Sequence, residues 1–564
     1  MFGLAVDALI VGSGAAGLTA AAVARSLGLD VILVEKTDKI GGTTSYSGGT
    51  IWIPNNTISV GRGVLDTKES SRDYISHSLA QHGRKGRESS DARIDAFLDK
   101  GPEMVEFLIK RGVKWSPKPS PFPDYHPEIE GALPSGGRTL DPAVFDAAAL
   151  GSWNNKIRRP PHSAPAKYFH DFRILTKPHA SLLDFLKNCW MKFCAKFFTV
   201  MMCSPVYMGC SLVAQLLALF LRDETREPSI HLNARLVDLV IKDGHVRGGN
   251  IQLANGQVTT VYARYGVILA AAGFARRQDL RDKHLPFTQT KWTLTQPNGD
   301  SGDALCAGQR AGAATALLGE AWWIPTMADP LSGQTIPAMF EIAKPNCIIV
   351  DGQGSRFLSE ADPYGDAGRS LHKHLAKGCG PAWLILDSNY RKRYTLGSLG
   401  PGTEPTDKAM ANGYIRKADT ISELAEQISV DGARLTKSVE EWNKACEIGR
   451  DERFRKGQSE YQAFIGDRSA RHPNIGPVAL APFYAVPVQP GDAGTKGGLL
   501  TDEFARVVRP DGSVIPGLYA AGNSAASVMG ATSLGAGVTI GPAMTFAYIA
   551  VQDIQRRKNG YCAE

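Results

Sequence analysis

Val6-Asp7-Ala8-Leu9-Ile10-Val11, followed at once by Gly12-Ser13-Gly14-Ala15-Ala16-Gly17, is the stretch on which the fold turns. The first six residues read as a short apolar strand, and the Ala-rich run over 18–27 reads as a helix. Val31-Ile32-Leu33-Val34 is a second strand, and it ends on Glu35. Strand, G-x-G-x-x-G, helix, strand and acid fit the span of about 30 residues of a dinucleotide-binding unit. Gly12 permits the tight turn, Gly14 lets backbone approach a pyrophosphate, and Gly17 lets helix and strand pack closely. Ser13 and Ala16 fill the same turn. The helix start offers free N–H groups and the positive end of its dipole to phosphates. Glu35 is placed to accept hydrogen bonds from a ribose diol, and a carboxylate there disfavours the 2′-phosphate of NADP.

The segment entered at Lys36 narrows the nucleotide to a flavin. Gly41-Gly42-Thr43-Thr44-Ser45-Tyr46-Ser47-Gly48-Gly49 follows directly, rich in glycine and hydroxyl side chains. An NAD enzyme rarely needs such a loop here. A flavin does, because its ribityl chain and ring lie against backbone. Small residues return later, where a buried strand, Gly266-Val267-Ile268-Leu269-Ala270-Ala271-Ala272-Gly273-Phe274, ends close to where phosphate would lie. Gly517-Leu518-Tyr519-Ala520-Ala521-Gly522-Asn523 and the Gly/Ala/Ser/Thr-rich run 530–541 precede a final helix over 543–555, opened by Pro542. A helix start there suits the pyrimidine edge of a flavin, which gains negative charge on reduction.

At 564 residues the chain is too long for one core, so two domains are expected. The net charge of +7 is modest for this length, and no basic tract interleaved with aromatics and no zinc spacing is present, which excludes nucleic-acid binding. No C-x-x-C occurs, and Cys189, Cys194, Cys203 and Cys210 fall in an apolar stretch where buried thiols are expected. This favours a reducing, cytoplasmic setting. The apolar N-terminus lacks a basic n-region, and Tyr561-Cys562-Ala563-Glu564 matches no targeting or lipidation motif.

Residues 70–111 read as two amphipathic surface helices, and 140–185 as irregular. Residues 197–221 carry no charge and are long enough to cross a bilayer, but Cys203-Ser204-Pro205 and Gln215 interrupt them. A buried or amphipathic helix is expected, with peripheral membrane contact through 197–221 as the alternative. Residues 230–241, which include Val237, then 245–253 and 258–262, read as a β-meander. The texture changes over 290–470, which reads as an inserted domain.

Taken together, the pairing of Gly12-Ser13-Gly14-Ala15-Ala16-Gly17 with Gly41-Gly42-Thr43-Thr44, and the later Gly517-to-Asn523 run, resemble the fumarate reductase and 3-ketosteroid dehydrogenase flavoprotein superfamily. Gly535-Ala536-Gly537-Val538-Thr539-Ile540-Gly541-Pro542-Ala543-Met544-Thr545-Phe546 resembles its 3-ketosteroid Δ1-dehydrogenase branch. The resemblance implies non-covalent FAD and an α/β fold: a Rossmann-like FAD-binding domain over 1–288 and 473–564, a probable insertion at 140–208, and an inserted α+β catalytic domain over 289–472. It implies cofactor contacts from Gly12, Ser13, Gly14, Ala16, Gly17, Glu35, Lys36, Gly42, Thr43, Thr44, Gly48 and Gly49. Val237, Ala271, Gly273, Gly522, Asn523, Gly537, Val538 and Ile540 complete the set.

The implied reaction removes a hydride from C1 and a proton from C2 of a 3-keto steroid, or a steroid-like triterpenoid, leaving a C1–C2 double bond. Tyr125, in Pro123-Asp124-Tyr125, matches a tyrosine lining the family's active site. Tyr364, after Glu360-Ala361-Asp362-Pro363, matches the base at C2. It serves as base only with a lowered pKa, through Tyr125 or a nearby positive charge. Gly537 matches a glycine whose N–H holds the C3 carbonyl. One departure stands out. Where the family has His-Thr-Tyr-Pro-Gly, this chain reads Ala531-Thr532-Ser533-Leu534-Gly535. Ser533 replaces the tyrosine that polarises the carbonyl, so Ser533, Thr532, water or another residue must substitute, or the chemistry differs. Three alternatives follow: a related ketosteroid oxidoreductase of other regiochemistry or an ene-reductase, a flavin-binding subunit without turnover, and a fumarate-reductase type. The last lacks its Arg and His donors over 530–541. With a single dinucleotide fingerprint, no NAD(P)H site is indicated and the electron acceptor stays unknown.

Overall fold

The computed structural model describes residues 5–82, 85–161, 165–222 and 229–560; Tyr561-Cys562-Ala563-Glu564 lies outside the described residues. Strand β1 (Ala5–Val11) is apolar toward both faces and is central to an eight-stranded sheet. Helix α1 (Ala15–Ser26) starts directly after Gly14, and β2 (Val31–Val34) runs parallel to β1. Ala20, Ala21 and Ala22 of α1 are fully buried, because small side chains let two more helices close on it.

The segment 197–221 is not one helix. Helix α2 (Leu182–Met201) ends at Met202, and α3 (Met208–Leu221) starts after a short strand at Pro205–Val206. The Pro-containing break read in the sequence is therefore a boundary. α3 is buried nearly all round against α1, as a helix apolar on every side must be. Among the described residues no helix is long and apolar enough to cross a membrane. The cysteine expectation fails with it: of the four, Cys210, on α3, is buried, while Cys189 and Cys203 are exposed and Cys194 is intermediate.

β3 (Ser229–His231) adds in parallel beyond β2. β4 (Arg235–Lys242), β5 (His245–Gln252) and β6 (Val258–Leu269) form the meander. β6 joins what the sequence divides into two strands. Its first half pairs antiparallel with β5 and its second half parallel with β1. Residues 263–265, between the two sequence readings, are strand as well, and the Arg264 side chain lies 3.3 Å from Asp7.

The inserted unit is built on a second, antiparallel sheet. β7 (Ala321–Ala328), β8 (Thr335–Pro337), β9 (Cys347–Val350), β10 (Ala382–Leu386) and β11 (Arg416–Ala418) surround β12 (Phe483–Thr495) in the order β8-β7-β12-β10-β9, with β11 also on β12. Helix α4 (Tyr364–Ala376) packs across β7 and β12. β12 belongs wholly to this sheet, so the inserted unit runs past the expected boundary at 472. The chain then returns through β13 (Arg506–Val508) and β14 (Val514–Ala520), which is parallel to β6. Helix α5 (Ile540–Lys558) closes the fold against α1.

Candidate active site

A cavity of about 1480 Å³ runs from the G-x-G-x-x-G turn to the inserted sheet. That exceeds the roughly 300–1,000 Å³ of a usual small-molecule pocket, leaving room for a dinucleotide and a substrate together. At one end the wall is backbone. Gly12 has φ +103°, and a Cβ there would lie 2.4 Å from the Ala270 carbonyl oxygen. A Cβ on Gly42 would stand only 3.8 Å from the Gly14 Cα, so the two glycine turns face one another across bare backbone. The Ala15 N–H donates to Thr44 Oγ1 at 3.0 Å, pinning the flavin loop to the start of α1.

Glu35 is buried and lines this end. Ser13 donates to Oε2 through N–H (3.1 Å) and Oγ (2.6 Å). Thr37 donates to Oε1 through N–H and Oγ1, both at 2.9 Å. Lys36 Nζ donates to Ser301 Oγ at 2.5 Å. Thr43 Oγ1 donates to Asp300 Oδ2 at 2.8 Å, and burial lifts that carboxyl to about 6. A glycine cradle at a helix start with a fixed carboxylate beside it suits the pyrophosphate and ribose of FAD. Glu35→Ala leaves three donors without their acceptor, the Thr37 hydroxyl keeping the Lys39 carbonyl at 2.9 Å, and each costs about 1–3 kcal/mol when buried. FAD retention through gel filtration is expected to fall at least about tenfold; unchanged flavin content would contradict this role.

Toward the inserted sheet the lining turns apolar, with Leu294, Ile324, Ile336, Met339, Phe340, Phe169 and Phe172. Tyr364 opens α4 and faces the cavity. The loop before it is anchored by Glu360, which accepts from Arg356 Nε and Nη2 at 2.8 Å each and from the Ile349 N–H at 2.9 Å. Lys456 Nζ lies 3.2 Å from Glu360, and all of these side chains are buried.

Tyr125 stands one layer behind Tyr364 and off the cavity wall, their ring centroids 5.3 Å apart, with Tyr461 at 4.9 Å from Tyr125. This corrects the expectation that Tyr125 lines the site. Burial raises Tyr364 above the ordinary tyrosine value, and the Tyr125 hydroxyl only partly opposes it. Of the two expected causes of a lowered value, Tyr125 acts in that direction but is outweighed, and no cation lowers it among the described residues.

Gly537 lines the cavity with φ +95°, and a Cβ there would meet the Ile51 backbone at 2.6 Å. Its carbonyl accepts from the Trp52 N–H at 3.1 Å, while its own N–H donates to no acceptor among the described residues. The Leu534 carbonyl accepts from the Tyr125 N–H and the Tyr74 hydroxyl, both at 2.9 Å, which ties this loop to the Tyr125 segment. Ser533 is buried but off the lining. It packs on Gly365, where a Cβ would fall 2.9 Å from the Ser533 Cβ, and its Oγ has no hydrogen-bond partner among the described residues. Thr532 Oγ1 is spent on the Met529 carbonyl at 2.8 Å. The carbonyls of Ala531 and Thr532 accept from Arg369 and Lys496, and burial brings Lys496 down to about 7.

Of the residues assigned to the cofactor from sequence, Gly12, Ser13, Gly14, Ala16, Glu35, Lys36, Gly42, Thr43, Thr44, Gly48, Gly49, Ala271, Gly522, Asn523, Gly537 and Ile540 line the cavity. Gly17 does not; it makes the close turn, since a Cβ there would lie 1.8 Å from the Gly12 carbonyl oxygen. Gly273 packs on Thr495 and Val538 lies in the core. Val237 is 43 % exposed and points outward from β4, while Leu236 and Ala234 face the cavity. Strand alternation puts neighbours on opposite faces, so the misplacement is by one residue. Asp300, Leu236 and the apolar wall residues such as Ile324 and Phe340 line the cavity without having been assigned from sequence, and only the Asn298-Gly299-Asp300 turn marked the first.

A glycine cradle joined to an apolar pocket holding a tyrosine and an unengaged backbone N–H is the site of an FAD-dependent dehydrogenase. The model of the FAD binding domain family matches residues 7–540. The chain is 38 % identical to 3-oxosteroid 1-dehydrogenase of Mycolicibacterium smegmatis, over 98 % of each. It is 33 % identical to 4-oxocyclohexanecarboxylate 2-dehydrogenase of Sinomonas cyclohexanicum, over 98 % of this chain and 94 % of that one. The crystal structure of 3-ketosteroid Δ1-dehydrogenase from Sterolibacterium denitrificans, in complex with 1,4-androstadiene-3,17-dione, matches with a TM-score of 0.88 at 34 % identity, over 98 % of this chain and 100 % of that one. The chain belongs to the 3-oxosteroid 1-dehydrogenase family of FAD-dependent flavoproteins. The resemblance, fold class and cofactor read from the sequence agree with these findings.

Proposed function

We propose that this chain introduces a C1–C2 double bond into a 3-keto steroid or a steroid-like triterpenoid. The observation that carries the reading is one cavity walled by the Gly12–Gly14 cradle, by Tyr364 and by Gly537. Bound FAD supplies a hydride acceptor for C1. The Gly537 N–H donates to the C3 oxygen, where negative charge grows as C2 loses its proton. Tyr364 takes that proton through its ionised fraction, which is small because burial holds its pKa up, and the two bonding electrons left at C2 form the new double bond as C1 gives up its hydride. The apolar wall of Phe340, Ile324 and Phe172 excludes water and leaves space for a polycyclic skeleton beyond the ketone ring. Phe169 and Phe172 come from the segment expected as an insertion, and their place in the wall supports a larger or decorated substrate.

Ser533 is not given the role of the missing tyrosine, because it faces Gly365 and not the cavity. Ser533→Ala is expected to leave kcat/KM within about twofold, well short of the roughly 2.7–4 kcal/mol of a lost oxyanion donor. A hundredfold fall would return Ser533 to the site. Turnover of 3-keto steroids and triterpenoids, with the products resolved by mass spectrometry and NMR, tests the reading. Loss of two hydrogens from C1 and C2 supports it; another position of unsaturation, or hydrogen addition, contradicts it.

The alternative read for 197–221, peripheral membrane contact, takes a different address. α3 is core, so contact falls to α2, whose apolar side chains face outward.

A further inference from the structure

α2 is amphipathic the wrong way round for a helix of a water-soluble core. Its anchoring face is polar. Asp184 is buried 3.3 Å from Lys177 Nζ and accepts from Ser469 Oγ at 2.8 Å, and Asn188 Nδ2 donates to the Ile174 carbonyl at 2.9 Å. The opposite face carries Leu182, Leu186, Trp190, Phe193, Phe197 and Val200, spaced three or four residues apart and so aligned in one stripe. All six are exposed, Leu182 by 76 %, Trp190 by 65 % and Phe193 by 59 %. The rings of Trp190, Phe193 and Phe197 stack in succession along it, with centroids 5.7 and 6.5 Å apart. Single exposed apolar residues need no explanation, but a contiguous stripe marks a surface that is covered by something.

The charges on α2 say what covers it. Its one acid, Asp184, is buried, while Lys187, Lys192 and Lys196 are exposed. At about 100° per residue, Lys187 falls on one border of the stripe and Lys192 and Lys196 on the other. Lysines flanking an apolar and aromatic stripe reach toward phosphates while the stripe enters acyl chains. A second copy of the chain is a poorer fit, because pairing two such stripes brings lysine borders together. A segment about 30 Å long with lysines spread along it lies in the interface and does not cross it. The cavity reaches this helix, since Asn188 and Lys192 line it.

We propose that α2 docks the protein on an anionic phospholipid surface, and that a lipid-dissolved substrate enters the cavity beside it directly from the bilayer. The entry route rests on the substrate class proposed above; the docking does not. The test uses full-length holoenzyme and a triple variant, Trp190→Glu, Phe193→Glu and Phe197→Glu, none of which lines the cavity. Wild type should co-sediment with phosphatidylcholine vesicles containing phosphatidylserine, and the variant should bind at least about tenfold more weakly. With steroid delivered by cyclodextrin, the two should share flavin content and kcat. With steroid loaded into the vesicles, KM of the variant should rise at least about fivefold with kcat unchanged. Wild type that stays in the supernatant at every lipid composition overturns the docking. So does a dimer in sedimentation equilibrium that the variant dissolves, which would assign the stripe to self-association. No turnover of cyclodextrin-delivered steroid by wild type would overturn the substrate reading and the entry route, while vesicle binding would still decide the docking.

Discussion

Tyr364→Phe is expected to lower kcat/KM for a 3-keto substrate by about 10²–10⁴-fold, the usual contribution of a positioned proton acceptor. The loss should come without loss of FAD or of substrate binding. Phe keeps the ring that packs at 5.3 Å on Tyr125 and removes only the hydroxyl. The pH profile separates a base from a merely structural tyrosine. Burial holds Tyr364 above the ordinary tyrosine value, so its ionised fraction at neutral pH is small and grows about tenfold with each pH unit. The wild-type kcat/KM should therefore climb from pH 7 to about 9 without a plateau, and the variant's residual activity should be flat over that range. A wild-type profile that levels off near neutrality would remove Tyr364 from the role.

Glu360→Ala should cost about 3–5 kcal/mol, because it leaves buried Lys456 without its carboxylate and Arg356 with Asp451 alone, at 2.8 Å. Glu360 holds Arg356 through both oxygens, with Lys456 at 3.2 Å, on the loop that delivers Tyr364. Burial alone would raise its carboxyl, but Arg356 and Lys456 outweigh burial and bring it to about 2, from 4.5. A depressed acid stabilises the fold fully above its unfolded value and loses that contribution as the pH falls through the folded value. The melting temperatures of wild type and variant should thus differ most near neutrality and converge as the pH drops from about 4.5 toward 2. Calorimetry at pH 7 and at low pH checks both parts; equal melting temperatures at pH 7 would contradict the anchor. Activity should fall with stability, since Tyr364 sits four residues further on.

What the sequence disclosed about this molecule follows from the range of the interactions involved. The β1–α1–β2 unit is local. Gly17 answers a backbone need met within a few residues, since a Cβ there would strike the Gly12 carbonyl oxygen, so its packing part could be assigned from the chain alone; the contact that bars a Cβ at Gly12 comes instead from Ala270, at the end of β6. Glu35 could be placed for the same reason, although its holders Ser13 and Thr37 emerge only in the fold. Val237 went astray because alternation establishes two faces without saying which is inward; Leu236 is the inward one. Whether the Ser533 and Tyr125 side chains reach the cavity depends on Gly365 and Tyr364, each more than a hundred residues away. β12 lies beyond the expected boundary at 472 and still belongs wholly to the inserted sheet, a pairing decided by strands far away in sequence. α2 shows the deepest limit. An apolar stripe at helical spacing looks the same whether it faces a core or faces outward, and only the buried Asp184 and Asn188 reveal which side is in.

The most direct measurement is an anaerobic titration of the purified flavoprotein with a panel of 3-keto steroids and triterpenoids, following flavin absorbance and analysing the product. The account predicts that the oxidised flavin bleaches in proportion to substrate added and that the product carries a new C1–C2 double bond. Flavin that stays oxidised with every 3-ketone tested would contradict it.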